Sequence, residues 1–127
     1  MRLLDSNIVI EAVAPDAEAL RAELSAEPCV ISIITRIEVL GWHRLSVEEE
    51  SGLREFLSRV ETLALDDAVV TRAITLRQER KMGLGDAIIA AKVLVHGLAL
   101  MTRNVADFKH IPGLDLITRF APTNPDS

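Results

Sequence analysis

Short apolar runs alternate along this chain with segments of helical periodicity, and no other feature restricts the fold as much. Leu3-Leu4 closes a first strand, and Cys29-Val30-Ile31, Leu63-Ala64-Leu65, Leu98 to Met101 and Leu114 to Ile117 read as later ones. Between them, Ile8 to Val13 forms a helix that stops before Pro15, because the residue ahead of a proline is pushed out of the α region. Asp16 is placed to cap a second helix with Ala19, Leu20 and Leu24 inward. A third runs from Ile33 through Ile37 and Leu40 to Gly41. Ser46-Val47-Glu48-Glu49 is a capping box opening a helix with Leu53, Phe56, Leu57 and Val60 on one face. Asp66-Asp67 starts a helix carrying Val69, Val70, Ala73 and Ile74 and ended by Gly83. Asp86 opens a nearly all-apolar helix that stops at Gly97. Strands alternating with helices predict an α/β fold, a three-layer α/β/α sandwich around a parallel sheet of about five strands.

With 127 residues the chain has room for one domain, expected over 1–120, with 121–127 a proline-rich, flexible tail. Its one cysteine, Cys29, lies in a strand and has no partner for an internal disulfide, which suits a reducing compartment. The most apolar stretch, Ala87 to Met101, is broken by Lys92, His96 and Gly97, too early for a membrane span. The N-terminus lacks a secretory apolar region, so a cytoplasmic location is expected. Net charge is −5 and there is no tyrosine, so neither a basic patch nor an aromatic platform is visible. That balance weighs against a nucleic-acid substrate unless a bound cation offsets it.

Four acids respond to that requirement. In an open parallel sheet, ligands bind beyond the carboxyl ends of the strands. Asp5 follows strand one and Asp107 lies in the loop after strand four. Asp86 starts the helix returning to strand four, and Glu38 lies about 8 Å along the helix leaving strand two. All four therefore gather on one rim. Two carboxylates about 5 Å apart repel by roughly 3 kcal/mol at an effective dielectric near 20. Such a cluster needs raised pKa values or a cation, and oxygen-only donors favour Mg²⁺ or Mn²⁺ over zinc. A metal held in this way supports in-line attack on a phosphodiester.

Each acid also has a plainer reading. Asp5 with Ser6 and Asn7 could be a helix cap; Thr35-x-x-Glu38 matches a capping box; Asp86 suits a helix N-terminus; Asp107 suits a turn. His43, His96 and His110 are scattered and carry no expected catalytic role. Trp42, beside Gly41, is either core or an anchor for a partner. A non-enzymatic alternative is a receiver-like domain using Asp66 as phospho-acceptor, or a scaffold that keeps only the acidic pocket. A receiver needs a lysine after a late strand, where this chain has Thr102-Arg103.

Taken in order, the motifs resemble a known family. Leu3-Leu4-Asp5-Ser6-Asn7 is similar to the opening of PIN-domain nucleases, especially VapC-type toxins. Ser32-x-x-Thr35-x-x-Glu38-Val39-Leu40-Gly41 looks like their second motif and Gly85-Asp86-Ala87-Ile88-Ile89-Ala90-Ala91 like the third. Thr102-Arg103-Asn104-x-x-Asp107-Phe108, followed by Ile111-Pro112-Gly113-Leu114, resembles the fourth. The likeness runs from Met1 to about Phe120. It implies a PIN fold and an Mg²⁺- or Mn²⁺-dependent endoribonuclease acting on RNA, with tRNA the favoured substrate class. It also implies a homodimer and a cognate VapB-like antitoxin that reaches the acidic groove from apolar faces on the short helices. The metal-ligand role then falls on Asp5, Glu38, Asp86 and Asp107, with Ser6, Asn7, Thr102 and Asn104 supporting them by hydrogen bonds. Some relatives carry an acid where this chain has Asn104, so Asn104 and Asp107 compete for the fourth position.

Overall fold

The computed structural model describes residues 1–118 and 120; the expected tail at 121–127 lies outside them. Five parallel strands, β1 (Arg2–Leu4), β2 (Cys29–Ser32), β3 (Glu61–Leu63), β4 (Ala99–Met101) and β5 (Leu116–Ile117), stand in the order β3-β2-β1-β4-β5. The helices are α1 (Ser6–Ala12), α2 (Glu18–Ser25), α3 (Ile33–Leu40), α4 (Val47–Ser58), α5 (Asp67–Glu79), α6 (Leu84–His96) and the short α7 (Val105–Phe108).

Strand alternation builds the two cores. Successive strand residues point to opposite faces. Leu3, Val30 and Leu100 enter one apolar cluster with Val69, Ala73 and Leu76 of α5 and the buried face of α6. Their neighbours Leu4, Ile31 and Met101 enter the other, with Ile8 and Val9 of α1, Leu20 of α2 and Leu53 and Leu57 of α4. The sheet is thus covered on both sides, as its short apolar strands require.

Local expectations fail where two signals compete. Asp16 does not cap α2: the N-cap is Ala17, with no side-chain bond. The third strand is Glu61–Leu63, two residues earlier than its apolar letters suggest, because Val30 pairs with Glu61 and Ser32 with Leu63. Leu65 is left half exposed, and the Ala64 carbonyl instead accepts a bond from Lys92 Nζ. Lys92 is fully buried, and that burial pushes its ammonium below its ordinary value of 10.5, with Asp66 pulling it back up. Helix α5 ends at Glu79, before Gly83, and buries Val69, Ala73 and Leu76 while Val70 and Ile74 face outward. The capping box at Ser46 and Glu49 and the left-handed cap at Gly97 form as expected.

The sheet order places a switch point between β1 and β4. From β1 the chain winds through β2 to β3 on one side, then crosses to β4 on the other. The strands stay paired to their carboxyl ends, but the connections that leave them run to opposite faces, α1 to one and α7 to the other, the position where open α/β sheets take their ligands.

Candidate active site

Asp5 is the first residue beyond β1 and the N-cap of α1, and it is buried to 5% exposure. Its backbone N–H donates to the Met101 carbonyl at 3.0 Å, which fixes it against β4. Its carboxylate accepts three hydrogen bonds: from the Ser6 backbone N–H at 2.8 Å, from Thr102 Oγ1 at 2.8 Å and from Asn7 Nδ2 at 3.2 Å. Capping and site geometry are therefore one arrangement, not competing readings.

Thr102 is the centre of the support. Its hydroxyl donates to Asp5 and accepts from Asn7 Nδ2 at 3.3 Å and from the Asn104 backbone N–H at 3.0 Å. One donation and two acceptances use the full capacity of a hydroxyl. Asn7 Oδ1 in turn accepts from the Arg103 backbone N–H at 3.1 Å, and Arg103 Nε donates to Glu11 Oε2 at 2.8 Å. These bonds tie the end of β4 to α1 through groups that also orient Asp5. Thr102→Val removes the buried donor while keeping the shape. RNA cleavage by that variant is expected to fall about 10–100-fold with the fold retained, read as initial rates beside a thermal melt.

The other acids arrive on three helices. Glu38 sits in the last turn of α3, whose N-cap is Ser32, with Ser32 Oγ accepting from the Ile34 N–H. The Thr35–Glu38 capping box is thereby excluded: Thr35 lies inside the helix, and Glu38 is free for another purpose. Asp86 lies in the first turn of α6, two residues inside its start. Asp107 lies in α7, a helix the sequence reading took for a loop. Gly85 marks the approach of α3 and α6, since a Cβ there would lie 3.5 Å from Glu38 Oε2.

Electrostatics link the set. Burial, then the charges of Asp5 and Asp86, push the Glu38 carboxyl above its ordinary value of 4.5. Burial, then Asp107 and Asp5, push Asp86 above 3.8. Asp5, Glu38 and Asp86 repel one another pairwise, and Asp107 repels Asp86. Among the described residues no three carboxylate, imidazole or thiol groups already stand in position to hold one ion. The donor set is nevertheless oxygen-only and negatively charged, the chemistry that suits Mg²⁺ or Mn²⁺. Asn104 contributes its backbone N–H to Thr102.

The histidines differ in their surroundings. His43 packs edge-on against Trp42, and His96 Nε2 lies 2.8 Å from Asp66 Oδ2. Asp66 also caps α5 through the Val69 N–H, so the residue a receiver would phosphorylate serves as a helix cap. His110 lines a small cavity with Asp86 and Asp107, which sequence reading missed.

A larger cavity of about 640 Å³ opens between α1, α3 and α4, lined by Ile10, Val13, Val39, Trp42 and Leu53, with Ser6 and Glu38 also on its wall. Trp42 is half exposed there, which settles its place on the surface. Among the described residues no helix is long and apolar enough to cross a membrane.

Comparison with known proteins bears on the fold and the family. The family model described as PIN domain matches residues 2–114. The tRNA(fMet)-specific endonuclease VapC of Shigella flexneri is 31% identical over 122 residues, covering 88% of this chain and 92% of that protein. Among solved structures, a toxin-antitoxin complex from Klebsiella pneumoniae superposes with a TM-score of 0.77 at 35% identity, covering 93% of this chain and 97% of that one. VapBC2 from Rickettsia felis, bound to a DNA fragment from its promoter, gives 0.81 at 26% identity, covering 91% and 96%.

Proposed function

The chain belongs to the PIN-domain family, and we propose that it hydrolyses RNA phosphodiester bonds at the carboxyl edge of the sheet where the connections from β1 and β4 diverge. It is an endoribonuclease of the VapC type, the toxin of a toxin–antitoxin pair whose other member is a VapB-like antitoxin. The observation that supports the site assignment is the linked repulsion of Asp5, Glu38 and Asp86, extended to Asp107 through Asp86, near the switch point of the sheet.

On this reading the four carboxylates hold Mg²⁺ or Mn²⁺, which when bound supplies charge neutralisation and Lewis-acid activation for attack of water on phosphorus. Asp5 is the fixed member, because three hydrogen bonds set its orientation before any ligand arrives. Glu38, in the last turn of α3, is exposed. Asp86 and Asp107 close the side toward α7. The P–O3′ bond breaks, leaving a 5′-phosphate and a 3′-hydroxyl. Transfer RNA is the proposed substrate class, in line with the Shigella relative's name.

The cavity beside Trp42 is the proposed seat for the antitoxin. It is apolar along most of its wall and reaches Glu38, so a segment bound in it would run to the acids and could set a basic side chain among them. A second apolar surface, formed by Ile34, Leu65, Val70, Ile74 and Leu84, is the proposed face for a homodimer.

Incubation of the purified protein with total RNA tests the activity. Cleavage with Mg²⁺ or Mn²⁺, abolished by EDTA and leaving 5′-phosphate ends, is the expected result. Equal cutting in EDTA would remove the metal from the account.

A further inference from the structure

The chain carries net negative charge, yet its substrate on the reading above is a polyanion, so some local feature must receive the strand. A cavity of about 160 Å³ lies between α7 and the connection from α5 to α6. Asp86 and Asp107 form part of its wall, and Arg80, Lys81 and His110 form another. Arg80 and Lys81 are exposed and take part in no ion pair among the described residues. The arginines nearer the sheet are already engaged: Arg2 bonds main-chain carbonyls and Arg103 bonds Glu11. Both ring nitrogens of His110 are shut off from solvent and lack a hydrogen-bond partner. A neutral imidazole always has one N–H to donate, so this ring is a donor without an acceptor. Glu79 lines the adjoining cavity with Arg80 and His110.

We propose that this cavity receives a backbone phosphate of the RNA strand next to the one being cleaved, with Arg80 and Lys81 as its cationic contacts and His110 as a hydrogen-bond donor. The inference rests on the nuclease reading and adds where the strand lies. The volume argues for a phosphate over a base, since pockets that enclose drug-sized ligands run to roughly 300–1,000 Å³. The position argues for a neighbour of the scissile group, because two of the proposed ligands share the wall. A phosphate there also supplies the acceptor that His110 lacks. These three are positioning residues: they fix the strand and do not touch the reacting atoms.

The test uses the full chain and a fluorophore-labelled single-stranded oligoribonucleotide that the unaltered protein cuts. An R80Q/K81Q variant is expected to raise KM about tenfold and to leave kcat within about twofold. The slope of log(kcat/KM) against log salt should become shallower by roughly 0.7, the contribution of one single-strand phosphate contact. His110→Gln keeps an N–H donor and should retain KM within about threefold, whereas His110→Leu should raise it, with thermal melts confirming that both fold. An R44Q/R72Q variant, which removes two exposed charges away from this cavity, is the control for net charge. If R80Q/K81Q matches R44Q/R72Q in KM and salt slope, the phosphate seat is wrong while the nuclease stands. If the unaltered protein cuts no RNA, both readings fall together.

Discussion

Replacing Asp5 with asparagine is expected to lower RNA cleavage by about a thousandfold while leaving the protein folded. The amide oxygen keeps the Ser6 N–H bond that caps α1, while the NH₂ group stands where Oδ2 accepted from Thr102 and Asn7, so that pair must rearrange. What it loses is the negative charge, and with it a ligand for a divalent ion. Loss of several kcal/mol of metal-based stabilisation corresponds to roughly three decades in rate. Asp5→Ala removes cap and charge together. It should be equally inactive but also less stable by about 1 kcal/mol, the usual cost of deleting an N-cap. Initial rates beside thermal melts separate the two effects. Cleavage by Asp5→Asn within tenfold of the unaltered protein would remove Asp5 from the site.

Glu38→Gln should change activity and stability in opposite directions. Cleavage is expected to drop about a hundredfold, while the metal-free protein becomes more stable near neutral pH. The sign follows from the raised carboxyl of Glu38. A folded protein that binds this proton more tightly than the unfolded chain is favoured at low pH. That advantage is lost as pH rises from about the ordinary value of 4.5 through the raised folded value. The melting temperature of the metal-free wild type should therefore fall across this window. Glu38→Gln lacks the titration, so its advantage should be absent at pH 4 and fully open by pH 7. Because Glu38 is exposed to water along much of its length, screening holds the gain to about 1 kcal/mol or less. Melts in EDTA at several pH values read it directly. A Glu38→Gln protein less stable than wild type at pH 7 would mean that the charge is paired, not repelled.

The layer architecture was legible because it rests on periodicity that tertiary contacts do not override. Leu3 and Leu4, Val30 and Ile31, Leu100 and Met101 each divide between the two cores, and no other arrangement buries both members of each pair. The positions of Asp5 and Asp86 followed from the same logic, since each adjoins an element whose direction the fold class fixes. Boundaries set by pairing were not legible: register with β2 moved β3 to Glu61–Leu63, although the more apolar letters follow. Helix α7 was missed because four residues carry too little periodicity to distinguish a turn of helix from a loop. That omission hid His110, and with it the cavity where Arg80 and Lys81 meet Asp86 and Asp107. The Asp5 cap and its proposed ligand role were both expected but set against each other; the structure joins the cap to the Thr102 bond from ninety-seven residues away on the same carboxylate.

Titration calorimetry of the metal-free protein with Mn²⁺ bears most directly on the claim that a divalent ion relieves the crowding of Asp5, Glu38, Asp86 and Asp107. Uptake is expected to release protons near pH 5, because Glu38 and Asp86 hold theirs above the ordinary range. Binding should weaken at least about tenfold in Asp5→Asn. Heats equal to dilution alone, or binding unchanged in that variant, would contradict it.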